Sequence, residues 1–290
     1  DIDLNNVNIC PQQLAKIKQK YDLVIPVHFG GVPCDMKKIR KIARKKNAFI
    51  IEDASHALGS KYKDGSMVGN CKYSDMTVFS FHPVKAIAAG EGGVVTTNSA
   101  DLYKKLLRLR SHGINKLDDS FLLPKQAYTN NVLNPWYYEM QELGYNYRIT
   151  DIQSALAMSQ LDSLNEFVTK RKKIANFYDK ELIKLKNIKI LQKEMRQNSS
   201  HHLYLIKIDF ERLKITRAEL MNFLKIKGII TQVHYIPLNL HPFLRHKEHK
   251  SNKIDQANSY YNDCLSIPIY FDLDNSTQKY IISVFKQILA

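Results

Sequence analysis

With 290 residues, 44% of them apolar, the chain can bury a large domain and a smaller one, and it has no apolar run approaching a bilayer span. Its 43 basic and 28 acidic residues leave a formal charge of +15, but the lysines are spread over many segments instead of forming one arm. That distribution favours a phosphorylated small ligand over nucleic acid.

Four cysteines (Cys10, Cys34, Cys71, Cys264) stand far apart with no CxxC spacing. They argue against a zinc site or a disulfide scaffold and suit a reducing cytoplasm, and no signal peptide opens the chain. Residues 3–10 read as a linker, and Pro11 opens a first helix over 12–20. A strand is expected at 23–28. Asp35 caps a helix running to about Lys46 with Met36, Ile39, Ile42 and Ala43 as its apolar stripe, and a second strand covers 48–52. Strand, helix, strand in that order predicts a parallel α/β sheet. A sheet already under way at residue 23 implies earlier strands, so an N-terminal portion is expected to precede Asp1.

The second strand ends at Glu52-Asp53, the edge at which open α/β sheets bind ligands. His56 lies three residues on, able to face the same ligand or to serve as a structural histidine in a turn. Lys63-Asp64-Gly65 is a hairpin-type turn. A third strand, 76–81, brings Ser80 and His82 to its exit. Pro83 breaks it, Lys85 follows, and Gly90-Glu91-Gly92-Gly93 turns into a β-branched strand at 94–97.

Lys85 thus sits between two buried strands, where an ammonium is costly unless paired or neutral. A lysine so placed can act as an amine nucleophile toward a carbonyl, or it can snorkel from the loop to water. Asp53 weighs for the first reading. A Schiff-base lysine with an acidic partner for the pyridine nitrogen is what pyridoxal phosphate requires.

Residues 100–110 form a helix with a basic end. The polar stretch 115–140, with Tyr128, Trp136, Tyr137 and Tyr138, suggests a lid or substrate loop. Thr150 caps a long helix, 151–175, with Ile152, Ala155, Leu156, Leu161 and Leu164 in its stripe. Asn146 and Arg148 precede its N-terminus, where anions are favoured. Beyond it come a strand at 203–209, a helix at 216–227, strands at 229–235 and 264–269, and a closing helix at 277–289. His241, His246 and His249 lie among lysines and read as a solvated loop, not a metal site.

The segments EDASHALGS (52–60), VFSFHPVKAIAAGEGG (78–93), LRSHGI (109–114), LGYNYRITDIQSAL (143–156), HHLY (201–204) and VHYIP (233–237) resemble, in order, the DegT/DnrJ/EryC1/StrS family of sugar-nucleotide aminotransferases, pyridoxal-phosphate enzymes of fold type I. The resemblance implies a mostly parallel central sheet flanked by helices. It places a large cofactor-binding domain at 1–175, whose N-terminal part would lie before this chain's first residue, and a small C-terminal α/β domain at 176–290. It gives Lys85 the covalent bond to the cofactor and the proton shuttle, and Asp53 the pyridine nitrogen. His56 would meet the ring and its 3′-oxygen, Ser80 the phosphate, and Asn146 the phosphate of a neighbouring subunit in a homodimer with shared active sites. Tyr145, Tyr147, Arg148, His234 and Tyr235 are expected at the sugar nucleotide. The reaction implied moves the amine of L-glutamate to the 4-keto carbon of a UDP-4-keto-6-deoxy-N-acetylhexosamine. A lysine at position 85 sets the chain apart from the dehydratase branch, which has histidine there. The family's serine/threonine-rich phosphate cradle and its ring-stacking residue have no match here, so the alternative expectation is an inactive fragment of such an enzyme.

Overall fold

The computed structural model describes residues 1–116, 120–245 and 254–289. Four strands make the first sheet in the order β1 (Leu23–Val24), β2 (Phe49–Asp53), β3 (Met76–Ser80) and β4 (Gly93–Thr96). β1, β2 and β3 run parallel, and β4 closes the edge antiparallel to β3. β1 is shorter than expected because Pro26 has no N–H to give the ladder, which resumes only as a bridge from Val27 to Asp53.

Between β1 and β2 runs a helix, Met36–Arg44, in which Met36, Ile39 and Ala43 are buried. Asp35 caps it by accepting from the Lys38 N–H. Period-two alternation along β2 sends Ile50 and Glu52 into the core and leaves Phe49, Ile51 and Asp53 on the other face. On β1, Val24 is buried while Leu23 is exposed, as are Ile25 and Val27 beyond it.

The second sheet is antiparallel, with Tyr204–Ile208 between Ile188–Ile190 and Cys264–Ile267. Its core includes Tyr178, Leu182, Tyr204, Ile206 and Phe285, drawn from the strands and the helices Leu164–Leu182 and Asn275–Leu289. A strap, residues 199–202, ties this part to the first sheet. Ser200 Oγ donates to the His56 carbonyl (2.7 Å), and Ser60 Oγ accepts from the Ser200 N–H (2.9 Å) while donating to the Gly31 carbonyl (2.7 Å). Gly31 is required at this seam, since its φ is +97° and a Cβ there would lie 2.5 Å from Ser200 Oγ.

Other expectations change, among them the first helix, which spans Pro11–Lys16 and not 12–20. The long helix is two, Asp151–Asp162 and Leu164–Leu182, separated at Ser163, whose N–H closes a tight turn onto the Gln160 carbonyl (3.1 Å). In the first of them only Ala157 is buried, while Ile152, Leu156, Met158 and Leu161 are exposed. Residues 229–235 form no strand but a single bridge from Gln232 to Ser266, because the chain then turns His234 and Tyr235 toward the first sheet. The stretch after Ile114 holds two short antiparallel ribbons, Ile114–Asn115 with Glu139–Met140 and Tyr128–Thr129 with Val132–Leu133. A further helix lies at Asp255–Asp263, and Asp1 accepts from the backbone N–H groups of Gln256 and Ala257 at its start. His246 and His249 lie outside the described residues.

Candidate active site

Asp53 closes β2, with its N–H bonded to the Pro26 carbonyl (2.9 Å) and its own carbonyl accepting from His28 (3.0 Å). Its Oδ1 accepts from the Ser55 N–H (3.0 Å), which turns the chain toward His56. Lys85 follows β3 in a turn closed by its N–H on the His82 carbonyl (2.9 Å), and Ala89 bonds back to Phe81 (2.9 Å). The two strand ends are adjacent in the parallel ladder, so both side chains reach one cavity of about 750 Å³. His56 and Tyr235 line it too, with an apolar wall that includes Ile25, Val27 and Phe29.

Burial lowers the Lys85 pKa, with the negative charge of Asp53 opposing the shift. His56 is lowered to about 3, first by burial and then by the charges of Lys85 and His234, against Asp53. Its Nδ1 accepts from the Gly30 N–H (3.4 Å), so the proton sits on Nε2, 3.3 Å from the Tyr235 hydroxyl. Burial and then the Asp53 charge raise the Tyr235 pKa. His234 bonds Ser266 Oγ through Nδ1 (2.8 Å), and burial with the Lys85 charge lowers its pKa.

Lys85, Asp53, His56 and Tyr235 therefore share one cavity, with His234 beside it. Ser80 ends β3, its Oγ accepting from the His82 N–H (3.3 Å). Tyr145, Asn146, Tyr147 and Arg148 lie elsewhere in the chain. They pair along residues 109–112, with Asn146 bridged to Ser111 and Tyr147 bonded to the Arg110 carbonyl (2.9 Å). Tyr145 and Tyr147 stack on each other at 4.8 Å, and Arg148 lines a separate basic depression with Arg110 and Lys104.

Two features escaped the sequence reading. Glu52, on the core side of β2, accepts from His28 Nε2 (2.7 Å), the Tyr62 hydroxyl (2.6 Å), Thr77 Oγ1 (3.3 Å) and Ser74 Oγ. His28 Nδ1 accepts from the Cys34 N–H (3.0 Å), so its proton points at Glu52. A carboxylate at a core position of a strand was the available signal. His202, buried beside His56, had none beyond its place in a histidine pair ahead of a strand.

The profile of the DegT/DnrJ/EryC1/StrS aminotransferase family matches residues 1–286. The UDP-4-amino-4,6-dideoxy-N-acetyl-beta-L-altrosamine transaminase of Campylobacter jejuni is 36% identical over 289 residues, 98% of this chain and 71% of that protein. Among solved structures, Helicobacter pylori PseC, an aminotransferase involved in the biosynthesis of pseudoaminic acid, superposes with a TM-score of 0.86 at 28% identity, covering 98% of this chain and 71% of that one. The sugar aminotransferase Spr1654 of Streptococcus pneumoniae in its PMP form gives 0.83 at 26% identity, covering 99% and 74%.

Proposed function

The chain belongs to the DegT/DnrJ/EryC1/StrS aminotransferase family, and on that premise we propose that it moves the amine of glutamate to the 4-keto carbon of a UDP-4-keto-6-deoxy-N-acetylhexosamine. It is a sugar aminotransferase, and the family together with the PMP- and PLP-form structures of a relative points to pyridoxal phosphate as cofactor. The observation that carries the reading is the shared cavity of Lys85, Asp53 and His56. Those residues fit the group: an amine of lowered pKa, a carboxylate for a ring nitrogen, and an N–H for a ring oxygen.

When bound, pyridoxal phosphate supplies an aldehyde that bonds amines covalently and a ring that accepts electron density. Lys85 Nζ would bond it and, once free, would carry a proton between C4′ of the cofactor and the substrate carbon that loses or gains the amine. Burial raises the fraction of neutral amine available for both tasks. Asp53 keeps a proton on the ring nitrogen through its charge. His56 orients the ring through its Nε2–H, Ser80 at the exit of β3 serves the phosphate, and His234 and Tyr235 border the sugar. The UDP-linked sugar and its place in pseudaminic acid synthesis follow what the relatives' names give as their substrate and pathway. Four free cysteines agree with a cytoplasmic setting, and no helix among the described residues is long and apolar enough to cross a membrane.

Incubation with glutamate and each of the two C5 epimers of the 4-keto UDP-sugar tests donor and acceptor together. 2-Oxoglutarate and a 4-amino sugar are expected from one epimer; product from neither, in a cofactor-loaded sample, rejects the assignment.

The active unit is a homodimer in this reading. Its support is the exposed apolar side of Asp151–Asp162 and the position of Asn146 and Arg148 apart from their own Lys85 cavity, free to serve a neighbour's. Replacing Ile152 and Leu156 with Glu should cost about 2 kcal/mol each, roughly 30-fold in dimer affinity per site. Sedimentation equilibrium should then show monomer where the parent chain is dimeric. An unchanged mass would remove this face from the interface.

A further inference from the structure

The N–H that sets the His56 tautomer belongs to one peptide unit, Phe29–Gly30, and that unit has a partner at each pole. Its Gly30 N–H donates to His56 Nδ1 (3.4 Å), and its Phe29 carbonyl accepts from Gln192 Nε2 (2.9 Å), 163 residues away in the chain. The unit is the centre of a turn closed by the Gly31 N–H on the His28 carbonyl (3.2 Å). Gly30 has φ +65° and ψ 3° while Phe29 keeps a negative φ, which makes this a type II turn. Types II and I differ by a half-turn of the central peptide. That half-turn exchanges its two poles, so His56 Nδ1 would then face a carbonyl, which calls for Nδ1–H in place of Nε2–H.

Gln192 stands where it opposes this rotation. It follows the strand Ile188–Ile190 of the second sheet and is buried. Its second Nε2 hydrogen goes to the Asn6 carbonyl (2.6 Å), and its own N–H donates to the Asn5 carbonyl (2.9 Å), so the amide is held from three sides. The Val32 N–H is the other donor to the Phe29 carbonyl (3.1 Å). We propose that Gln192 is a positioning residue for His56: by holding the Phe29 carbonyl it keeps the turn in its type II form, with the Gly30 N–H on Nδ1 and the Nε2 proton on the side of the cavity. The use of that proton rests on the function proposed above; the choice of tautomer belongs to the ligand-free chain. Docking of the second sheet thereby reaches the candidate cofactor site through one amide.

Nitrogen NMR of the histidine-labelled, cofactor-free chain at pH 7 reads the tautomer directly, because His56, its pKa lowered to about 3, is neutral there. Its resonances are identified by their loss in His56→Gln. Gln192→Met keeps the volume and removes the donor, and it should raise the ratio of Nδ1–H to Nε2–H forms about fivefold, the worth of one hydrogen bond. Gly30→Ala should shift the ratio the same way with Gln192 in place, since a φ of +65° disfavours a Cβ and that Cβ would stand 2.8 Å from Gln192 Oε1. Ser200→Ala removes a hydrogen bond from the same seam without touching the Phe29–Gly30 peptide, and it should keep the parent ratio. A parent-like ratio in Gln192→Met, or an equal shift in Ser200→Ala, overturns the proposal. Pyridoxal phosphate affinity, measured separately, should fall as the Nδ1–H share rises. A shifted tautomer with unchanged affinity would instead reject the cofactor role given to His56 and leave the positioning by Gln192 intact.

Discussion

Lys85→Ala is expected to lower sugar amination by about 10⁴-fold, the upper end of what one positioned acid–base group contributes. It should also abolish borohydride fixation of pyridoxal phosphate to the peptide carrying residue 85. The electrostatics of the cavity add a sign that a merely exposed lysine would not share. Burial lowers the Lys85 pKa and Asp53 holds it up, so Asp53→Asn should let it fall further. Labelling of the cofactor-free chain by an amine-acylating reagent follows the neutral amine. Its pH profile for residue 85 should therefore rise at a lower pH in Asp53→Asn than in the parent. A rise at the same pH would mean that the two side chains do not share a field, and the paired assignment would fail with it.

Much of this site was legible because its parts are local. A strand that ends in Glu-Asp, and another that ends before Pro83 and Lys85, place two side chains at the same sheet edge once the parallel order is known, and β2 and β3 are neighbours. The helix at Met36–Arg44 carried a cap at Asp35 that fixes its start. What could not be read depends on contacts distant in sequence. The expected strand at 229–235 has the β-branched and aromatic residues of a strand, yet the pull of the cavity on Tyr235 and the Tyr260 hydroxyl on the His234 carbonyl (2.7 Å) divert it after one bridge. The apolar stripe at 152–161 is plain in the sequence, but within one chain most of it meets solvent. Periodicity reports that a face is apolar without saying what covers it.

Glu52→Ala should produce the largest loss of stability. The carboxylate is fully buried and takes hydrogen bonds from His28, Tyr62, Ser74 and Thr77, so its removal strands several donors in the core beneath Asp53. Breaking a buried charged network of this kind costs about 3–5 kcal/mol, which for a chain of this size lowers the melting temperature by roughly 10 °C. The pH dependence has a definite direction. Burial alone would raise the Glu52 pKa, but the hydrogen bond from His28 and those from the hydroxyls of Ser74 and Tyr62 leave it below the usual 4.5. A carboxylate whose folded pKa is depressed contributes stability above its unfolded pKa and loses it as pH falls through the folded one. Chemical denaturation at pH 7 and at successively lower pH below 4.5 should therefore show the parent converging on Glu52→Gln, which lacks this titration. The same substitution leaves Asp53 in place but loosens the strand that carries it, so cofactor affinity should weaken together with stability. If the gap between parent and Gln variant stayed constant from pH 7 down through that range, Glu52 would not be the ionised anchor of β2, and the rigidity of the Asp53 end would need another source.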